Sequence, residues 1–256
     1  QRQMCIRDSC YAELYDFLPP ARRQRDFALD FVAPAPVRHL IGLAGVPPTE
    51  VELVLLNGRS VDLEAAVADG ARLTLYPVFE AFDIRPALRL RRRPLRRSRF
   101  IADAHLGALA RRLRMLGFDT LWFNDIGDAG LARLAAEQHR ILLSRDRQLL
   151  MRQAVTHGCF VRAGPTWRQL AALVERLQLC AEIAPFSRCT ACNALVEPVA
   201  AAVVRDLMPP GVRARERDFW RCAGCGRVYW RGSHWRAMRR RIEAICPPSA
   251  GSDPAT

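Results

Sequence analysis

Two short apolar runs in this chain each end in an aspartate: Phe100-Ile101-Ala102-Asp103 and Ile141-Leu142-Leu143-Ser144-Arg145-Asp146. Each run has the length of a buried strand and is followed by a helical pattern. Its carboxylate is therefore expected at the carboxyl end of a parallel strand, where open α/β sheets bind ligands. Asp125, just past a third run at Thr120-Leu121-Trp122-Phe123, and Asp128, at the next helix start, are two further candidates. Carboxylates brought together this way repel one another unless a cation is bound. Mg²⁺ or Mn²⁺ suits them, since both prefer oxygen ligands and keep positions open for water and phosphate. A metal so held would activate water for attack on a phosphodiester. The competing reading of each aspartate is a helix N-cap, evenly balanced for Asp128.

A second constellation is made of sulfur. Cys189-Thr-Ala-Cys192 and Cys222-Ala-Gly-Cys225 are two Cys-x-x-Cys pairs. Four thiolates from two tight turns close a tetrahedral Zn²⁺ site with no open position, so this ion would hold a fold rather than catalyse. The spacing between the pairs suits a zinc ribbon with a long hairpin. Cys10, Cys159, Cys180 and Cys246 read as ordinary thiols. Arg221 and Trp230, among interleaved arginines and aromatic residues around the second pair, fit phosphate contact and base stacking.

The formal charge is +13, and all 39 basic residues are arginine. An acidic cluster in so basic a chain points to a polyanionic partner, and an arginine fork matches phosphate. No segment approaches the roughly 20 apolar residues of a membrane span, and no secretory leader opens the chain, so a cytoplasmic location without membrane contact is expected. Gln1–Ser9 resemble a translated sequencing adapter and are expected to stand outside the fold.

These groups need elements to position them. Residues 10–83 read as a small β-rich module: alternating strands at Tyr11–Tyr15 and Asp26–Phe31, a helix from Val37 ending at Gly45, and strands at Val51–Leu56 and Arg72–Pro77 around an Asn57-Gly58 turn. Residues 84–98 form an arginine-rich linker. Residues 99–183 alternate strand and helix, which implies a parallel sheet flanked by helices. In the first helix Leu106, Leu109, Leu113 and Leu116 make the apolar stripe, with Arg111, Arg112 and Arg114 facing elsewhere. Thr166-Trp167-Arg168-Gln169 reads as a capping box. Residues 184–246 carry the cysteines, and 247–256 should be disordered.

The order of elements in the first module, with Leu55-Leu56-Asn57-Gly58-Arg59 and Asp69-Gly70-Ala71-Arg72-Leu73-Thr74-Leu75-Tyr76-Pro77, resembles the β-grasp, ubiquitin-like sulfur carriers. No glycine pair or free tail follows, so the module is expected to bind a protein partner or to act as a scaffold. Phe100–Asp103, Leu106–Thr120 and Arg140–Arg147 resemble the Mut-seven C-terminal RNase domain family. The likeness covers roughly residues 99–246, and the upstream module matches the ubiquitin-like domain that precedes some members. It implies a PIN-like α/β nuclease with a C-terminal zinc ribbon, a divalent metal on Asp103 and Asp146 and, less closely matched, Asp125 and Asp128, with Ser144 and Arg145 beside the metal, and RNA as substrate. The alternative is a non-catalytic RNA-binding or ribosome-associated adaptor whose aspartates are caps.

Overall fold

The computed structural model describes residues 4–10, 12–77 and 98–247. Most of the arginine-rich linker and nearly all of the C-terminal tail lie outside them. The chain divides into two units, Gln1–Arg97 with Ile126–Val161, and Ser98–Asp125 with Arg162–Thr256.

The first unit opens on the β-rich module. Strands β1 (Met4–Cys10), β2 (Phe27–Phe31), β3 (Ala35–Pro36), helix α1 (Val37–Leu43), and strands β4 (Leu53–Leu56), β5 (Arg59–Ser60), β6 (Ala66–Val67) and β7 (Arg72–Tyr76) follow in order. The main sheet runs β2-β1-β7-β4-β5, with β1 antiparallel to β2 and parallel to β7. In β7, Leu73 and Leu75 are buried while Arg72 is exposed, as the two-residue period of a one-faced strand requires. Val37, Leu40 and Ile41 of α1 share their core. Two expectations are corrected here. Residues 4–9 belong to the fold as most of β1, with residues 4–8 pairing with β2 and residues 7–10 with β7. Ala12–Phe17 is a 3₁₀-helix and not a strand, which places Leu14, Phe17 and Leu18 in the core.

In the second unit, β8 (Phe100–Ala102) leads through a 3₁₀ turn to α2 (Gly107–Met115), and β9 (Thr120–Trp122) lies parallel to β8. Gly117 ends α2 with a φ of +98°, where a Cβ would run into the carbonyl oxygen of Ala184. The first unit then supplies α3 (Asp128–Glu137), β10 (Ile141–Ser144), α4 (Arg147–Met151) and β11 (Gly158–Phe160), with β10 and β11 parallel. These parallel strands, each followed by a helix or turn, are the α/β pattern expected.

The second unit continues with α5 (Thr166–Arg176), which buries Leu170, Leu173 and Val174. The expected capping box does not form: Pro165 is the N-cap, and Gln169 instead donates to the Arg162 carbonyl. An antiparallel sheet of β12 (Val196–Val199), β13 (Phe219–Cys222) and β14 (Val228–Trp230) precedes α8 (Ser233–Ile245). The segment between β12 and β13 is not a long hairpin. It holds α6 (Ala201–Val204) and α7 (Pro210–Arg215), which begins on a proline suited to a first helical turn, and Val204 and Met208 pack with Phe219 as a small core. Cys180 and Cys246 were expected as thiols but form a disulfide. Among the described residues no helix is long and apolar enough to cross a membrane.

Candidate metal centre and carboxylate site

The structure draws the four cysteines together. The Sγ atoms of Cys189, Cys192, Cys222 and Cys225 all lie within 4.8 Å of one another, with Cys189–Cys225 at 3.6 Å and Cys192–Cys222 at 3.3 Å. Tetrahedral zinc at a Zn–S distance of about 2.3 Å needs sulfurs about 3.8 Å apart. The donor set therefore fits, and the group could hold zinc.

Both halves of the site are the same turn. After each Cys-x-x-Cys the next residue adopts the left-handed region, Asn193 at φ +72° and Gly226 at φ +71°. Its amide donates back to the carbonyl of the first cysteine, Asn193 to Cys189 at 3.0 Å and Gly226 to Cys222 at 3.1 Å. Asparagine and glycine are the residue types that accept this conformation at least cost. In the second turn the Gly224 and Cys225 amides also donate to the Cys222 sulfur.

Electrostatics within the quartet are uneven. Burial would raise the Cys189 thiol, but hydrogen bonds from Tyr229 and from the Cys192 and Ala191 amides outweigh it and bring it down to about 6. Burial pushes Cys222 up to about 12. Cys192 is lowered, chiefly by the Ala194 amide. The Tyr229 hydroxyl, 3.0 Å from the Cys189 sulfur, is held up at about 12 by burial and then by that bond, so it acts as a donor.

Two supporting residues escaped the sequence reading. Tyr229, one of the aromatic residues near the second cysteine pair, bonds the Cys189 sulfur. Arg114, expected to face away from the apolar stripe, is 4% exposed and donates to the carbonyls of Thr120, Thr190 and Ala191. It thereby ties α2 and β9 to the residues between Cys189 and Cys192. Asn193 adds a second tie, its amide group accepting from Thr120 N and donating to Asp119. An arginine in a leucine-rich helical pattern carries no mark of this role in sequence.

Around the cysteines, Arg221 is exposed and lines a groove of about 560 Å³ with Glu197, Val199 and the second cysteine turn. Trp230 is half-buried and packs on the Val204–Met208–Phe219 cluster.

The aspartates fall two in each unit. In the second unit, Asp103 directly follows buried β8, and its carboxylate accepts from the His105 amide at 3.4 Å; Asp125 is exposed beyond β9. In the first unit, Asp146 follows β10 and caps α4 by accepting from Gln148 N at 2.8 Å. Asp128 is not a cap: Gly127 holds that position, and Asp128 pairs with Arg152 at 3.7 Å. Neither unit by itself assembles three of these carboxylates. Among the described residues the cysteine quartet is the one group of three or more His, Cys, Asp or Glu side chains drawn this close. Ser144 is fully buried and accepts from the Asp146 amide at 2.9 Å, so it braces the aspartate, while Arg145 is exposed.

The same first unit shows what the β-grasp module touches. Arg147, next to Asp146, donates to the carbonyls of Phe17 and Asp16 and lies over the Phe17 and Phe160 rings. Glu50, 3% exposed, accepts from the Phe160 amide at 2.7 Å. The module is thus packed against α4 and β11.

Comparison with known proteins agrees with this architecture. The family model described as Mut7-C RNAse domain matches residues 98–242, and that described as Mut7-C ubiquitin matches residues 4–83. Two crystal structures of Haloferax volcanii small archaeal modifier protein 1 are each 23% identical to this chain. One covers 29% of this chain and 97% of its own with a TM-score of 0.25; the other covers 28% and 93% with a TM-score of 0.24. No curated protein matches the chain.

Proposed function

From the premise that this chain belongs to the Mut7-C RNAse domain family, with a Mut7-C ubiquitin module ahead of it, we propose a metal-dependent ribonuclease of PIN-like design acting in the cytoplasm. The observation that carries the reading is a local motif used twice. Asp103 and Asp146 each stand at or just past the end of a buried strand, and each is fixed by the amide two residues ahead. A cap holds the side chain in one orientation, and a carboxylate fixed at a strand end suits an ion that takes oxygen ligands.

Asp103 and Asp146, with Asp125 and Asp128, would hold Mg²⁺ or Mn²⁺, whose chemistry is to acidify water and to offset charge on phosphate. The chain's own residues do the rest. Ser144 keeps the Asp146 backbone in place from the core, exposed Arg145 contacts phosphate, and Arg221 and Trp230 stand on the cysteine-bearing sheet as contacts for RNA. Zinc on the four cysteines holds that sheet. The ubiquitin-like module, packed on α4 and β11, would bind a protein partner.

A second reading, a non-catalytic RNA-binding or ribosome-associated adaptor, draws on the same two caps. Purified protein is incubated with labelled RNA and DNA with Mn²⁺, with Mg²⁺, or with neither. Cleavage that needs the ion and disappears in Asp103→Asn and Asp146→Asn supports the nuclease. RNA binding without cleavage under every condition establishes the adaptor.

A further inference from the structure

Helix α8 carries Arg236, Arg239, Arg240 and Arg241 against the single carboxylate of Glu243. Residues two apart on a helix project about 200° apart, so Arg239 and Arg241 leave it on different flanks. On one flank Arg239 lies 5.4 Å from the Trp235 ring centre. Arg231, just past β14, lies 5.6 Å from Trp235 and 5.1 Å from Trp220. Ring and cation therefore alternate from Trp220 through Arg231 and Trp235 to Arg239. On the other flank Arg241 lies 5.0 Å from the ring centre of Trp167 on α5, and Arg112 of α2 lies 4.5 Å from the same ring.

Arg112 and Arg241 share one indole, and among the described residues neither is paired with a carboxylate. Burial and then the charge of Arg241 both weigh against the Arg112 cation. An anion between the two guanidiniums would relieve that repulsion, and phosphate matches the fork geometry.

We propose that α8 and its two arginine–tryptophan stacks form a binding track for single-stranded RNA, with phosphates taken by Arg112, Arg241 and Arg231 and bases stacked on Trp167, Trp220 and Trp235. The track rests on the nuclease reading and specifies the strandedness of its substrate. Magnitudes favour exchange of partners. Arg231, Arg239 and Arg241 are exposed, and an exposed cation–π contact is weaker than the stacking of a base on an aromatic ring. A base can thus displace an arginine from an indole face while that arginine turns to the adjoining phosphate. Duplex RNA cannot do this, because its bases are already stacked on one another.

The test uses full-length, zinc-loaded Asp146→Asn protein in Mg²⁺-free buffer, with fluorescence anisotropy on a labelled RNA of about 12 nucleotides, single-stranded or annealed. Single strands should bind at least about tenfold tighter than duplex, and Trp235→Leu or Trp220→Leu should each weaken them about tenfold. Arg241→Gln should lower the slope of affinity against salt by about one ion. Duplex binding as tight as single-strand binding overturns the proposal, as does unchanged affinity in both tryptophan variants. If a tryptophan variant loses zinc or its fold, Arg231→Gln and Arg241→Gln decide, and unchanged affinity in both overturns the track. Wild-type cleavage in a protein with no such preference would sink the track alone; the preference without cleavage would sink only the nuclease.

Discussion

The Arg114 guanidinium donates to the carbonyl oxygen of Ala191 at 2.7 Å while almost wholly buried. Its other bonds, to Thr190 at 3.3 Å and Thr120 at 2.8 Å, mean that one side chain of α2 satisfies carbonyls from β9 and from the first cysteine turn. Burial works against its charge, and the nearby Cys189 and Cys192 thiolates partly restore it. Arg114→Leu leaves these acceptors buried and unmet, at an expected cost of about 2–4 kcal/mol. In thermal unfolding the midpoint should fall by roughly 5–10 °C. Zinc should also pass to a competing chelator more readily. Arg114→Lys should recover only part of the loss, because an ammonium cannot reproduce the fork.

Arg147 makes the corresponding join in the first unit. It bonds the Phe17 carbonyl at 3.1 Å and sits 5.0 Å from the Phe17 ring centre, and that ring meets Phe160 edge-on at 5.2 Å. The residue beside Asp146 is therefore held by the ubiquitin-like module. Arg147→Met should cost about 1–2 kcal/mol through the lost charge-assisted bonds and ring contact. Hydrogen exchange at the amides of residues 146–148 should quicken, while exchange in the β2–β1–β7 sheet stays as it was. Equal quickening throughout the module would mean that the contact serves only general stability.

How far the residues announced this arrangement depends on whether a local pattern carries the information. The helix at Val37, the stripe of Leu109 and Leu113, and the Gly117 stop were readable because burial and backbone conformation repeat at fixed spacings. The two Cys-x-x-Cys pairs were readable because a metal fixes the spacing within each turn. Arg114 was not, since only the distant Thr190 and Ala191 carbonyls make its burial worthwhile. The Cys180–Cys246 bond joins residues 66 apart, and no spacing rule pairs such cysteines. The helices inside the 29-residue gap between the cysteine pairs were hidden behind the expectation of a hairpin. Asp128 stood evenly between cap and metal ligand, and the cap position falls to Gly127.

The unequal thiols of the cysteine site give a pH dependence. In zinc-free protein the Cys189 thiol lies at about 6, below the ordinary thiol range. Its ionised form thus favours the fold above that ordinary range, and the contribution is lost as pH falls through about 6. Cys222, held up at about 12, has the opposite sign: its contribution is present below the ordinary range and lost as pH rises towards 12. At pH 7 zinc should therefore release fewer than four protons from its four ligands, because Cys189 is already ionised. Calorimetric titration in buffers of different ionisation enthalpy measures the number. Tyr229→Phe removes a hydrogen bond to the Cys189 sulfur, so proton release should rise and acid-induced loss of zinc should begin at a higher pH.

Asp146 caps α4, and substitution can separate that role from the metal-binding role proposed for it. Its carboxylate caps α4 through Gln148 N, and the backbone that carries it is braced by the Ser144 hydroxyl. Asparagine caps a helix about as well as aspartate, whereas alanine cannot, and the loss typically costs about 1 kcal/mol. Asp146→Asn should therefore unfold at the wild-type midpoint, and Asp146→Ala a few degrees lower. Cleavage should not separate the pair, since a metal ligand needs the charge that both substitutions remove. Both variants should lose ion-dependent RNA cleavage to the same extent despite unequal stability. If Asp146→Asn cleaves like wild type and only Asp146→Ala is impaired, the residue is a cap alone, and the ion must be sought on other side chains.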